Sequence, residues 1–179
     1  MRAFTRLADF IDSLNEKIGT VVSWLTTLLV LIVCYDVFTR YLLKRSSIAV
    51  QELEWHLFAV IFLLGAAYTL KHDRHVRVDV LYQKFSPQTR GWINFVCSLF
   101  FLIPFALLVI WASYEFVASS FRIGETSPDP GGLPARFVLK ACLPLGFFLV
   151  FLQGLSLAIH SLCAALGHRP TAERKARHG

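Results

Sequence analysis

Twelve carboxylates, six histidines and four cysteines are the side chains of this 179-residue chain able to do acid–base, metal or redox chemistry. They do not stand in the patterns that such chemistry needs. Cys34, Cys97, Cys142 and Cys163 lie singly inside apolar runs with no CxxC spacing, so each reads as a small buried hydrophobe rather than a redox or disulfide partner. Haem ligation between helices requires histidines facing each other at one depth. Here His56 and His160 fall near opposite ends of their apolar runs, His72 and His75 follow the second run, and His168 and His178 belong to a basic tail. No GxSxG, HExxH, P-loop or GxGxxG pattern is present. The chain is expected to be no enzyme and to need no cofactor or metal.

The remaining ionisable residues are informative through where they are missing. Residues are 55% hydrophobic and 17% charged, with a mean hydropathy of +0.55. Soluble domains run at about 45–50% and about 25%. Four stretches are long and apolar enough to cross a bilayer: Ile18 to Leu43, Ile48 to Leu70, Trp92 to Val117 and Phe137 to Leu162. Trp92 and Trp111 lie 19 residues apart, about 28 Å along a helix, which suits anchors at two interfaces. Asp36, Arg40, Glu52, Glu54, His56 and Glu115 all fall toward one end of their spans, and no ionisable side chain sits near a span's middle. A proton relay or ion pathway would place one there. Paired Gly/Pro interruptions, which make broken helices around a midplane substrate, are also missing.

Positive residues orient the spans. The N-terminal stretch holds three, the segment between spans two and three holds five and the tail holds four, against three after span one and three around the start of span four. The positive-inside rule then puts both termini in the cytoplasm. The net charge of +6 is therefore a topology signal, not a nucleic-acid patch. Residues 1–17 carry Phe4, Leu7, Ala8, Ile11 and Leu14 at helical spacing, continued by Ile18, with Asp9, Asp12 and Glu16 interleaved. That pattern predicts an amphipathic helix lying on the inner membrane surface, against a frayed tail as the alternative. It leaves three regions: 1–17, a four-span domain over 18–165, and a basic cytoplasmic tail over 166–179, drawn to anionic lipids. The architecture expected is an all-α membrane protein.

Between spans two and three, Val78, Leu81, Tyr82 and Phe85 recur at helical spacing, and Ser86–Pro87 reads as an N-cap followed by proline at the first helical position. On the outer side, GETSPDPGGLPAR forbids regular structure until Pro134 opens span four. Pro104 and Pro144 stand inside spans three and four as candidate kinks. Asp36 and Arg40, four apart, either pair with each other or leave Arg40 to reach the headgroups. Glu52, with His56 four residues on, and Glu54 either pair with Arg40, Lys44 or Arg45 or meet a partner protein.

Three segments, RYLLKRSSIAVQELEW, FLLGAAYTLKHDRHVRVDVLY and SPDPGGLPARFVLKACLPLGF, come in an order that resembles the small permease subunit of tripartite ATP-independent periplasmic (TRAP) transporters, the DctQ-like family, over roughly residues 20–165. The resemblance implies a bacterial inner-membrane subunit of a sodium-coupled, receptor-dependent importer of a small carboxylate-type organic solute. A large permease of about twelve spans would carry the substrate and ion sites, and a periplasmic receptor would deliver the solute. It also implies roles for residues. His75, Arg77 and Asp79 match an inner-surface motif, which either fixes the connection or contacts the large subunit, or is a capped and solvated turn. Gly65, Ala66 and Ala67 are expected to allow close helix packing. Pro128, Asp129, Pro130, Gly131, Gly132, Leu133, Pro134 and Arg136 form the outer loop expected to face the receptor, with a plain connector as the alternative. Many relatives have adjacent acids where this chain has Gln51 and Glu52. A stand-alone four-span protein, either a small ion-coupled exporter or a structural organiser, is the competing reading.

Overall fold

The computed structural model describes residues 2–72 and 85–167. The described chain is all helix between its loops: α1 (Arg2–Tyr41), α2 (Ile48–Lys71), α3 (Pro87–Cys97), a π-helical turn (Ser98–Leu102), α4 (Ile103–Arg122) and α5 (Arg136–Ala165). Four helical rods are long and apolar enough to cross a membrane, with α3, the π turn and α4 forming one of them. The expected spans are all present. His75, Arg77 and Asp79, the short helix expected around Val78 and the basic tail fall in 73–84 and 168–179 and lie outside the described residues.

The amphipathic N-terminal segment is helical but is not a separate element. Arg2–Tyr41 is a single helix of 40 residues, about 60 Å long and twice the hydrocarbon thickness. Its buried stripe runs Ala8, Ile11, Asn15, Gly19 and Val22, a 3.5-residue period that holds one face toward a packed neighbour. Phe4, Leu7 and Phe10 stay exposed. Nothing between Asn15 and Ile18 breaks the helix, because no proline or second glycine interrupts good helix formers there. Helix α1 therefore runs unbroken through residue 17.

Pairings set the topology. Glu16 meets Lys71, and Val22 faces Gly65, so α1 and α2 run antiparallel. Asn15 meets Gln153 and Asp12 meets Ser156, making α5 antiparallel to α1. Leu63 of α2 meets Gly146 and Glu52 meets Arg136, so α2 and α5 run in parallel. The third rod packs on the other side of α5: Gly91 against Ser161 and Ala165, Ile103 against Gly154, Phe105 against Phe147 and Phe121 against Phe137. Helix α5 is thus the centre, touching all the other rods, while α1 and α2 pack mainly on each other and on it. One end of the assembly carries the start of α1 and the end of α5. The other carries the 42–47 and 123–135 loops.

Local signals explain most boundaries. The Ser86 hydroxyl accepts from the Thr89 N–H at 3.2 Å, with Pro87 at the first helical position as expected. The π turn at Ser98–Leu102 directly precedes Pro104, whose missing N–H and bulky ring disturb the ladder one turn back. At Pro144 the helix continues. Cys34 and Cys97 are exposed on the helix surface, where bilayer rather than protein covers small apolar side chains, and so are not the buried hydrophobes the sequence suggested.

Span four does not open at Pro134. It opens at Arg136, because Ala135 adopts a left-handed conformation (φ 61°, ψ 47°) that ends the loop. A Cβ in that region costs about 1–2 kcal/mol, whereas glycine gives back about 0.5–1 kcal/mol in chain entropy. Ala135→Gly is therefore expected to stabilise the chain by about 0.5 kcal/mol, and the β-branched Ala135→Val to lower the melting temperature in detergent. Equal melting of the two variants would show that the left-handed turn does not persist.

Candidate functional site

The outer-loop sequence forms a closed, layered turn. Its mouth is tied by the Arg136 N–H to the Glu125 carbonyl (2.9 Å), its middle by the Ser127 N–H to the Leu133 carbonyl (3.1 Å), and its tip by the Gly132 N–H to the Asp129 carbonyl (3.0 Å). The tip, Asp129-Pro130-Gly131-Gly132, has proline at the second position and Gly131 at φ +83° in the third, as a type II turn requires. The Ser127 hydroxyl accepts from the Asp129 N–H at 3.1 Å. Pro128, Asp129, Pro130 and Gly131 are exposed, Pro134 too, whereas Gly132, Leu133 and Arg136 are half-buried.

Two carboxylates hold this loop. Glu52 on α2, 4% exposed, accepts from the Ser127 hydroxyl (2.5 Å), the Leu133 N–H (2.6 Å) and the Arg136 guanidinium (3.2 Å). The guanidinium also lies 5.6 Å from the centre of the Trp55 ring. A Cβ at Gly132 would come within 2.8 Å of the Glu52 carboxylate, so glycine lets the loop close on it. Glu125 in turn accepts from the Ser120 hydroxyl at 2.6 Å and from the Lys140 ammonium, which ties the end of α4 to the start of α5. The hydrogen bond from Lys140, followed by that from Ser120, holds the Glu125 carboxyl below the usual glutamate range despite partial burial. The contribution of that tie is complete above the ordinary glutamate value and is lost as pH falls through the lowered one.

These contacts correct the expected pairing of Glu52. Its partners are not Arg40, Lys44 or Arg45 but Ser127, Leu133 and Arg136, because the parallel packing of α2 on α5 brings the start of both helices together. Arg40 instead pairs with Asp36, as one of the two expectations for it had it, and Asp36 is 3% exposed. The His56 Nδ1–H donates to the backbone carbonyl of Glu52 at 2.6 Å, and its ring rests on Trp55. Glu54 is half-buried, one carboxylate oxygen having no partner among the described residues. Of Gly65, Ala66 and Ala67, only Ala67 is fully buried, and a Cβ on Gly65 would sit 3.6 Å from Val22, an ordinary contact.

A second polar cluster, which sequence reading missed, lies toward the end that carries the start of α1 and the end of α5. Asn15 donates its amide to Gln153 at 2.7 Å, and Gln153 donates to Asp12 at 2.9 Å. Asp12 also accepts from Ser156 (2.6 Å) and contacts His160 Nε2 (3.2 Å). Lys71 donates to the Asp12 carbonyl (2.9 Å) and to Glu16 (2.5 Å), and His72 lies 3.0 Å from Glu16. The available signal was a glutamine and a serine three residues apart inside an otherwise apolar span, which in lipid points to helix–helix hydrogen bonding.

Three apolar rods packed on a central fourth, with no charge near the middle of any apolar span, define an integral membrane protein held together by helix packing. Its buried and half-buried titratable groups, Asp12, Asp36, Glu52 and His160 among them, lie away from the middle of the apolar spans. The sequence matches the DctQ component of tripartite ATP-independent periplasmic transporters over residues 29–164, and the chain belongs to that family. It is thus a multi-pass inner-membrane subunit of a transporter and not an enzyme, which sets aside the stand-alone reading. Among its relatives, the ectoine TRAP transporter small permease protein TeaB of Halomonas elongata is 28% identical over 153 residues, covering 85% of this chain and 78% of that protein. The C4-dicarboxylate TRAP transporter small permease protein DctQ of Pseudomonas aeruginosa is 31% identical over 110 residues, 58% of this chain and 52% of its own. No solved structure gives a significant match.

Proposed function

We propose that this chain is the stationary small subunit of a sodium-coupled TRAP importer for a small carboxylate-type organic solute, supporting a large permease in the membrane and helping to dock a periplasmic receptor. The carrying observation is where its charges are missing: none lies near the middle of an apolar span, which supports ion and solute sites in the larger subunit. The distribution of Lys and Arg supports cytoplasmic termini, which puts the 123–135 loop in the periplasm. There the exposed tip, Pro128 to Gly131, is already folded, so docking on it costs little ordering entropy. The C4-dicarboxylate relative supports the carboxylate class. The motif His75, Arg77 and Asp79 is assigned to the cytoplasmic surface, as a contact with the large subunit or a brace for the connection.

The test is reconstitution. The chain should co-purify with the large permease in mild detergent, and sodium-driven, receptor-dependent uptake should require both. Uptake by this chain alone in vesicles would overturn the assignment. For docking, Asp129→Lys alters only an exposed tip charge and is expected to raise the receptor concentration giving half-maximal uptake by about three- to tenfold, with assembly intact. An unchanged receptor requirement would remove the loop from the docking surface.

A further inference from the structure

We propose that Glu52 is a positioning residue for receptor docking: from the start of α2 it latches the 123–135 loop into the shape whose tip meets the receptor. This rests on the docking reading above and goes beyond it, because Glu52 itself is buried and out of reach of any receptor.

The geometry points to a latch and not to an incidental ion pair. One carboxylate takes three donors from three separate points of the loop and its exit: the Ser127 hydroxyl, the Leu133 backbone N–H and the Arg136 side chain. Two of these anchors are also where the loop closes on itself, since the Ser127 N–H bonds to the Leu133 carbonyl. The Ser127 hydroxyl passes the restraint outward, accepting from the Asp129 N–H at the base of the tip. The chain from Glu52 through Ser127 to Asp129 is thus continuous, linking a helix in the membrane to the one exposed carboxylate of the turn. Gly132 is the complement of the latch, because any side chain there would press on the Glu52 carboxylate and on Ser127. A loop with three prolines and two adjacent glycines has both stiff and very free segments. Without the latch, its free segments would have to be ordered by the receptor at the moment of docking.

The experiment uses the chain purified together with its large subunit. Hydrogen exchange of the 124–136 backbone is compared for wild type, Glu52→Ala, Glu52→Gln and Ser127→Ala, and the same proteins are reconstituted for uptake titrated with purified receptor. Glu52→Ala is expected to speed exchange at Ser127, Gly132 and Leu133 by about tenfold, as loss of a charge-assisted anchor implies. The half-saturating receptor concentration should rise by about fivefold, while the maximal rate at saturating receptor stays near wild type. Glu52→Gln keeps one acceptor oxygen and should recover much of the Leu133 protection. Ser127→Ala, which removes a single donor, should shift the receptor requirement the same way but less, and carries the test if Glu52→Ala does not assemble. Unchanged exchange in Glu52→Ala and Ser127→Ala would overturn the latch. Faster exchange with an unchanged receptor requirement, where Asp129→Lys does raise it, would overturn the positioning role and leave docking standing. If Asp129→Lys also has no effect, the docking reading falls and the positioning role falls with it.

Discussion

Gly146→Leu is expected to prevent stable packing of α2 on α5 and with it recovery of the folded subunit. A Cβ at Gly146 would lie 2.6 Å from the Leu63 carbonyl oxygen and 2.9 Å from its carbonyl carbon. Those are backbone atoms inside a helix, so no side-chain rotation relieves the clash. The two helices have to move apart, and the shift spreads because α5 also carries α1 and the third rod. Overpacking of an ordinary core costs about 1–3 kcal/mol, and a backbone-to-backbone contact belongs at the top of that range or beyond. Thermal melting in detergent and yield of the complex with the large subunit would measure the loss. Gly65→Ala is the control, since its added methyl meets Val22 at an ordinary 3.6 Å. In mid-helix it gains about 1 kcal/mol of propensity, so its melting should match or exceed wild type. Wild-type melting of Gly146→Leu would mean that α2 and α5 do not approach as closely as described.

The polar cluster between α1 and α5 gives the second large effect. Gln153, 3% exposed, joins Asn15 to Asp12, and Asn15 is 1% exposed. Gln153→Leu strands the Asn15 amide and removes a donor from the Asp12 carboxylate. Each unsatisfied buried group costs about 1–3 kcal/mol, so a loss of about 2–4 kcal/mol is expected. Asn15→Leu in the same background removes one stranded group and should restore part of the loss. The double mutant should therefore be more stable than the sum of the single losses by about 1 kcal/mol or more. Additive losses in melting experiments would show that Asn15 and Gln153 do not act through each other. The same cluster fixes the N-terminal part of α1 on the end of α5, so Gln153→Leu should also expose the backbone before Ile18 to faster hydrogen exchange.

Features that depend on a few neighbouring residues were legible in the chain. Ser86 and Pro87 announced the start of α3, and Ile48 opened α2 where the apolar pattern begins. Asp129-Pro130-Gly131 contains the turn that forms at the loop tip. Asp36 and Arg40 met because four residues in a helix bring side chains to one face. The small-residue run at Gly65 to Ala67 was a weaker guide. Small side chains permit close approach wherever they stand, but the partner's backbone decides where approach occurs, and here it occurs at Gly146 and Gly91. The continuous α1 was missed for a related reason. The charges before Ile18 suggested a change of environment, yet a change of environment does not break a helix that lacks a breaking residue.

The sequence by itself determined four membrane rods, the family and the absence of charge from the middle of each apolar span, because hydropathy, length and motif order are properties of the chain read locally. Tertiary structure alone decided the partners of the polar residues. Glu52 and Leu133 are 81 positions apart, Asp12 and Gln153 141 apart. Contact between such residues depends on which rods are neighbours and in what register. That is set by close packing around α5, by the fit of glycines to opposing backbone and by satisfaction of polar groups that have no water to turn to. An acid that the sequence left open between a nearby cation and a partner protein thus became the anchor of a distant loop.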